Sequence, residues 1–453
     1  MNTANSKRYL LAILTVTLAF NFVDRFALGL LLQNIKVDLA LSDTQLGVLT
    51  GIAFALFYSV MGIPIARWAD RGNRITIMSV TIALWSGALA LCGLVSNFLQ
   101  LLAVRVGVAV GEAGCIPPAH SLIADHFSRD ERPKATASFM LGAPASVVIG
   151  YFLAGWLNEF YGWRATFLIL GLPGLLLAAL VRFTLREPRL RVPAASASGI
   201  GAPARREVSV ASVAAPQPSI KNVFVFLWSN RTFRHLLISF SIMYFFGFGI
   251  QQWKPAFFVR SHGMTTGELG TWLALIHGLG GILGTYCGGE WAQRYAANNE
   301  RLQLRFTSIA YSSFAVISGL VFLSPNRYMA FGFLALAAVG GAVAAGPLFA
   351  TIQTLVPQHM RAMSIAVVYL FANLIGMGLG PLSAGALSDV LRPWAADESL
   401  RYALLILCPG YLWAGWHLWQ ASRSVTRDLK AAEPSPPIAI GDEDVVLDAP
   451  RNA

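Results

Sequence analysis

The stretch Leu99–Asp125, LQLLAVRVGVAVGEAGCIPPAHSLIAD, decides the fold. It is long and apolar enough to cross a bilayer, yet Arg105 and Glu112 lie well inside it. A charge at the bilayer centre costs roughly 2.5–3.5 kcal/mol on insertion scales. The two residues are separated by close to two helical turns, about 10.5 Å of rise, so they share a face. That face must look into protein or a watery cavity rather than at lipid. Pro117 and Pro118 follow closely, and each lacks an amide donor. The carbonyls of Ala113 and Gly114 therefore lose their helical partners, and the helix should bend there. A charge pair, small residues and a bend on one spanning helix predict a moving transport helix. The plainer alternative is a structural ion pair that fixes helix register.

Composition widens this reading to the whole chain. Apolar residues make up 55 % and charged residues 13 %, with a mean hydropathy of +0.57. Soluble domains carry about a quarter charged residues, so the chain reads as an all-α, multi-pass membrane protein. The net charge of +11 would suit a nucleic-acid binder, but the positives cluster in alternate short loops, as membrane topology requires. Cys92, Cys115, Cys287 and Cys408 all fall in apolar segments without metal-ligand spacing and read as small core residues. The first apolar segment contains Asp24 and Arg25 and lacks a convincing cleavage site, so it should remain as a spanning helix.

Twelve segments are long enough to span, each near or above roughly 20 residues. They run over 9–33, 43–66, 75–95, 99–125, 133–158, 163–185, 232–258, 266–290, 304–323, 327–352, 361–388 and 400–422, and are numbered helices 1 to 12 in that order. Basic clusters such as Arg67, Arg71 and Arg74, or Arg129, Arg132 and Lys134, fall on the side of both termini, which is predicted to be cytoplasmic. The expected organisation is an N-terminal six-helix bundle (1–185), a flexible linker (186–231), a C-terminal six-helix bundle (232–422) and a disordered tail (423–453). The linker is rich in Ala, Pro, Ser and Gly and cannot bury a core.

The halves repeat. Ser42–Arg71 aligns without gaps to Thr265–Arg294, matching SDTQLG to TTGELG and ARWADR to GEWAQR. Two matches at one offset, at both ends of the second helix of a half, point to a duplicated six-helix unit. Such a unit places two bundles about an axis along the membrane normal, with the substrate site between them.

Gly62–Arg74 reads GIPIARWADRGNR, and its Asp70, Arg71 and Arg74 resemble the loop motif of the major facilitator superfamily. Ala66 stands where that motif has its first glycine, and Gly72 comes one position early. Asp70 is expected to meet the positive start of helix 11, and one of these arginines to pair with Asp125, forming a cytoplasmic gate. Helix 4 carries Arg105 and then Gly111-Glu112-Ala113-Gly114, similar to the second motif of the superfamily. Together with Asn21-Phe22-Val23-Asp24-Arg25, with Gly162-Trp163-Arg164 and with the glycine-rich run from Asn373 through Asp389, it resembles the spinster branch. That resemblance covers residues 7–425 and implies transport of lysophospholipid-like or sphingolipid-like substrates, with helix 4 tied to proton coupling.

Asn21, Asp24 and Arg25 share one face of helix 1 near mid-membrane. Helices 1 and 4 could bring Asp24, Arg25, Arg105 and Glu112 into one nominally neutral cluster. A proton on Glu112 would free an arginine to hold an anion. Burial favours the neutral carboxyl and a nearby arginine opposes it, so the sign of the net effect stays open. Glu112 is the expected main proton carrier and Asp24 the second. Arg25, Arg105, Asn21, Phe54, Tyr58, Tyr369 and Asn373 are expected at the substrate. Phe20, Phe26, Phe57, Tyr244, Phe245, Phe246 and Phe371 are further cavity candidates, and Trp253 is either a cavity wall or an interfacial anchor. His120 reads as packed, and His277 as a residue that could face the cavity. Gly and Pro on helices 5 and 11 should let the bundles rock.

These features predict a proton-linked secondary transporter of an amphipathic, lysolipid-like anion, monomeric, in a bacterial inner membrane. It would use the proton gradient and no bound cofactor or metal. Rival readings are a multidrug transporter, disfavoured by the buried arginines, and an organic-anion or sugar transporter. A non-transporting receptor or a lipid-modifying enzyme belongs to a different class. No nucleophile constellation, metal set or ATP-binding loop supports catalysis.

Overall fold

The computed structural model describes residues 3–188, 225, 227–296, 299–356 and 360–432. Most of the expected linker and the tail beyond 432 lie outside the described residues. All the regular structure described is helical, and it assembles as twelve long segments in two bundles. Helix 1 is Thr3–Asp38, helix 2 is Asp43–Arg71, helix 3 is Arg74–Leu94 and helix 4 is Phe98–His126. Helices 5 and 6 share the stretch Arg132–Thr184. Helices 7 to 10 are Arg231–His262, Thr266–Tyr295, Glu300–Leu323 and Arg327–Leu355. Helix 11 covers 361–395, and helix 12 covers 399–432, reaching past the span limit read at 422. An even number of crossings leaves both termini on one side, here the terminal face; the opposite side is the far face.

Local chemistry explains the breaks. Helix 4 ends one segment at Glu112 and restarts at Ile116, with Pro117 and Pro118 in the first turn of the new segment. Tight bonds from the amides of Gly114 to Gly111 O (3.1 Å) and Cys115 to Glu112 O (3.2 Å) bridge the gap. The bend expected from the prolines is present at the expected place. Helices 5 and 6 join at a single residue, Gly162, whose φ of 78° is a conformation that side chains disfavour. Helix 11 has a π-helical stretch at Ala372–Leu379, directly before Pro381. Pro381 removes an amide donor, and single-turn π geometry often marks functional positions.

The far face is where the duplication can be seen in three dimensions. Helix 2 begins at Asp43, and its first amides are all accounted for. Asp389 on helix 11 accepts from the amides of Asp43 (3.1 Å) and Thr44 (2.7 Å) and from the Thr44 hydroxyl (2.7 Å). Ser42 caps the Gln45 amide at 3.1 Å. Ser388, the residue before Asp389, donates to Asp43 at 2.7 Å. The same arrangement recurs with the bundles exchanged. Glu159 on helix 5 accepts from the Gly267 amide at the start of helix 8 (2.7 Å), and Asn158 donates to Thr266 (2.9 Å). Thr266 and Gly267 are the repeat partners of Asp43 and Thr44. Each bundle thus caps a helix of the other. Gly385 and Gly155 make the approach possible, because a Cβ on either would run into the carbonyl of Asp43 or Thr266. Arg260 on helix 7 adds a two-pronged pair to Asp43 (2.6 and 2.8 Å), and Lys36 a second cation at 2.6 Å.

Trp253 departs from expectation. It is fully buried, and its indole N–H donates to Pro381 O at 2.9 Å, so it pegs helix 7 to helix 11 instead of sitting at an interface. Cys287 is exposed, unlike the other three cysteines.

Candidate functional site

Helices 1 and 4 do bring the four charges together. Arg105 Nη1 donates to Asp24 Oδ2 at 2.6 Å, with both side chains 2 % exposed. Arg25 grips Glu112 Oε2 through Nη2 at 2.7 Å and Nε at 3.1 Å. Asn21 donates to the Glu112 carbonyl at 3.3 Å, holding the start of the helix 4 break. Two cations and two carboxylates make a neutral set, which is how such a cluster survives out of water. Satisfaction is incomplete, however. Asp24 Oδ1, Glu112 Oε1, Arg105 Nε and Asn21 Oδ1 are buried without a hydrogen-bond partner among the described residues. Unpaired buried polar atoms are costly, and two free carboxylate oxygens form a place where a proton would be welcome.

The guanidinium of Arg25 is boxed by aromatic faces, 4.5 Å from Phe22, 4.6 Å from Phe54 and 5.1 Å from Tyr58. Arg105 lies 5.3 Å from the centre of the same Phe54 ring. Such cages attract a desolvated cation and keep it in place when its carboxylate partner leaves. Arg25 also reaches across to Met377 in the π-helical stretch of helix 11, at 4.0 Å.

A cavity of about 390 Å³ lies between the bundles beside this cluster. Arg25, Arg105, Phe26 and Phe54 line it from one side, and Phe248, Gln251 and Met377 from the other. Asp24, Glu112, Asn21 and Tyr58 are not among the residues that border it. Tyr369 and Asn373 are on helix 11 and do not border this cavity; Tyr369 is 40 % exposed. His277 stacks on Tyr151 at 6.0 Å, and Tyr151 accepts a hydrogen bond from Gln251 at 3.2 Å. His120 packs edge-on against Phe139, in keeping with its packed reading.

At the terminal face, Arg74 is completely buried and ties three helices together. It pairs with Asp125 at the end of helix 4 (2.6 Å) and with Glu187 after helix 6, and it donates to Ser121 at 2.8 Å. Asp70 and Arg71 are exposed. Residues 357–359, just before helix 11, and the Arg361 side chain lie outside what is described, so the expected meeting of Asp70 with that helix start does too.

Sequence reasoning missed Glu187, Asp389 and Glu159 as partners, because caps and pairs between distant helices leave no local pattern. It also missed Lys254, although an ionisable residue within an apolar span is the signal that singled out Arg105.

Two pseudo-symmetric helical bundles around a central cavity, with buried acid–base pairs in its wall, define a membrane transporter and not an enzyme. The chain belongs to the Major Facilitator Superfamily, whose family model matches residues 14–426. It is 32 % identical over 422 residues to an MFS-type efflux pump of Mycolicibacterium smegmatis, covering 92 % of this chain and 93 % of that one. It is 24 % identical over 398 residues to the hexuronate transporter of Bacillus subtilis, covering 85 % and 89 %. A crystal structure of a bacterial homologue of the human lysosomal transporter spinster, inward-facing and unoccupied, superposes with a TM-score of 0.79. That alignment has 27 % identity and covers 93 % of this chain and 98 % of the other. The resemblance to spinster, read from four motifs over residues 7–425, is matched by this alignment over nearly the whole chain.

Proposed function

We propose that the protein is a proton-linked secondary transporter that moves an amphipathic anion by alternating access. The observation that carries this reading is the pair of unpartnered buried oxygens, Asp24 Oδ1 and Glu112 Oε1, inside a charge-neutral cluster. A proton taken up by Glu112 cancels its charge and weakens its hold on Arg25. The Arg25 guanidinium, steadied by Phe22, Phe54 and Tyr58, then faces the cavity with charge to spare and can accept an acidic substrate group. Asp24 neutralises Arg105 while it is ionised and serves as the second proton site. Loss of the proton returns Arg25 to Glu112 and expels the anion, so proton and substrate movements are linked through one side chain.

The cavity walls are mostly aromatic and aliphatic, which suits a lysolipid-like substrate. Phe26 and Phe54 offer surface for a chain and the arginines for a headgroup. Both termini are taken as cytoplasmic, from the basic loops on their side, in a bacterial inner membrane, with Asp70, Arg71 and Arg74 at the inner gate. A second reading, a more hydrophilic organic acid, draws on the hexuronate-transporting relative.

Proteoliposome uptake of a labelled lysophospholipid, with and without an imposed pH gradient, tests the proposal. Wild type should respond to the gradient, and Glu112→Gln should transport without responding. Gradient-driven uptake unchanged in Glu112→Gln refutes the proton assignment. A labelled hexuronate in a parallel arm distinguishes the second reading.

A further inference from the structure

A second chamber, of about 370 Å³, opens inside the C-terminal bundle. Phe248 and Gln251 border both this chamber and the central cavity, so the two share a wall. Its lining is otherwise aromatic and aliphatic, apart from Ser318 and one charged residue. Lys254 on helix 7 lines it and is only 9 % exposed. Among the described residues, Lys254 has no hydrogen bond and no ion pair. The groups within electrostatic range are Cys408 and His277, and neither supplies a negative charge. Around the same chamber stand Tyr244, Tyr311 and Tyr411, and none of their hydroxyls is hydrogen-bonded among the described residues.

This contrasts with the N-terminal bundle. There every buried cation has its carboxylate: Arg105 with Asp24, Arg25 with Glu112, Arg74 with Asp125 and Glu187. A buried ammonium without a counter-charge is costly, and buried tyrosine hydroxyls usually find partners. Several polar groups lining an apolar pocket within the usual size range of ligand sites mark a place for a molecule rather than for packing.

We propose that Lys254, with Tyr244, Tyr311 and Tyr411 lining the same chamber, forms an anion subsite in the C-terminal bundle, which receives the acidic head of the transported amphiphile. This rests on the anionic-substrate reading above and deepens it. The substrate's phosphate or carboxylate would supply the charge that Lys254 lacks and accept hydrogen bonds from the tyrosine hydroxyls. Its apolar chain would extend past Phe248 into the central cavity. Arg25 and Lys254 would then hold the acidic head in turn, Arg25 when Glu112 carries a proton and Lys254 when it does not, with Gln251 at the shared wall between them.

The test is equilibrium binding to the purified full-length protein in neutral-lipid nanodiscs at fixed pH, with dodecyl phosphate, dodecanoate, uncharged monododecanoyl glycerol and inorganic phosphate as probes. Wild type should bind the alkyl anions more tightly than the uncharged probe. Lys254→Met should weaken dodecyl phosphate binding by about tenfold or more while leaving the uncharged probe within about twofold, and Lys254→Arg should keep most of the affinity. Tyr311→Phe, which removes one hydroxyl and no volume of consequence, should weaken it by about threefold and serves as the readout if Lys254→Met does not fold. Unchanged anion affinity in Lys254→Met, or in Tyr311→Phe where that variant stands in, overturns the subsite while leaving the anionic-substrate reading standing. Wild type that prefers the uncharged probe overturns both. Inorganic phosphate binding as tightly as dodecyl phosphate overturns the amphiphile and leaves a free-anion site in its place.

Discussion

Replacing Asp389 by alanine should loosen the far face by a predictable amount. Asp389 accepts three hydrogen bonds, two from the first amides of helix 2 and one from Thr44. Bonds to a charged acceptor contribute about 1.5–3 kcal/mol each when well buried, and a lost helix cap costs about 0.5–2 kcal/mol. Asp389 is half-buried, so water replaces part of what is lost, and about 2 kcal/mol is a reasonable net figure. This energy is present only when the bundles touch at the far face, so its loss acts on the closed–open equilibrium and not on folding of either bundle. At about 1.4 kcal/mol per tenfold, 2 kcal/mol is a shift of roughly 30-fold. A closed-to-open ratio of about 99:1 would fall to about 3:1. Val37 and Trp394 are 72 % and 90 % exposed near the far ends of helices 1 and 11 and can carry spin labels. Pulsed dipolar spectroscopy in a background without Cys92, Cys115, Cys287 and Cys408 should then show a second, longer distance in Asp389→Ala. An unchanged distance distribution alongside normal folding would refute the capping argument. Glu159→Ala, which removes the reciprocal cap, should move the same equilibrium in the same direction.

Two further outcomes follow from the terminal face. Glu187→Gln leaves the buried Arg74 with Asp125 as its remaining carboxylate and should lower stability by about 3 kcal/mol, measured as a fall in apparent Tm in detergent. Glu131, in the exposed connection before helix 5, is held at about 2 by the hydrogen bond from Lys7 at 2.6 Å and by the Ser128 amide. Its folded value lies below its ordinary one, so its contribution is complete above about 4.5, the ordinary glutamate range, and is lost as pH falls towards 2. Protection factors in the 128–134 connection, corrected for the pH dependence of intrinsic exchange, should fall over that window in wild type and change much less in Glu131→Gln.

Much of this molecule is legible in its sequence because a bilayer restricts the choices so severely. The meeting of helices 1 and 4 follows from charges that cannot face lipid, the length of each span from the bilayer's thickness, and the break after Glu112 from Pro117 and Pro118. Asp24, Arg25, Arg105 and Glu112 could be grouped before any coordinates, since each needed a partner at similar depth. What could not be read was who pairs with whom. Arg74 chose both Asp125 and Glu187, and the second lies in a segment whose composition suggested a tether. Tyr369 and Asn373 looked suitable for the cavity, but the rotation of helix 11 about its π-helical stretch decides which face points inward, and no period in the sequence records that rotation. Trp253 is ambiguous at the level of residue type, and only Pro381 O, brought close by Gly249 and Gly380, turns it into a buried peg.

The exchanged caps at the far face bear on how such a molecule could arise. Each six-helix half carries both a carboxylate that covers a foreign helix start and a helix start that needs covering. Two identical halves related by a dyad would satisfy one another in full, as self-complementary surfaces do. The seal could therefore have been in place before the genes for the two halves were joined, and fusion would have preserved it. Divergence was then free to act deeper in the membrane, where one half now holds the acid–base quartet and the other a solitary ammonium.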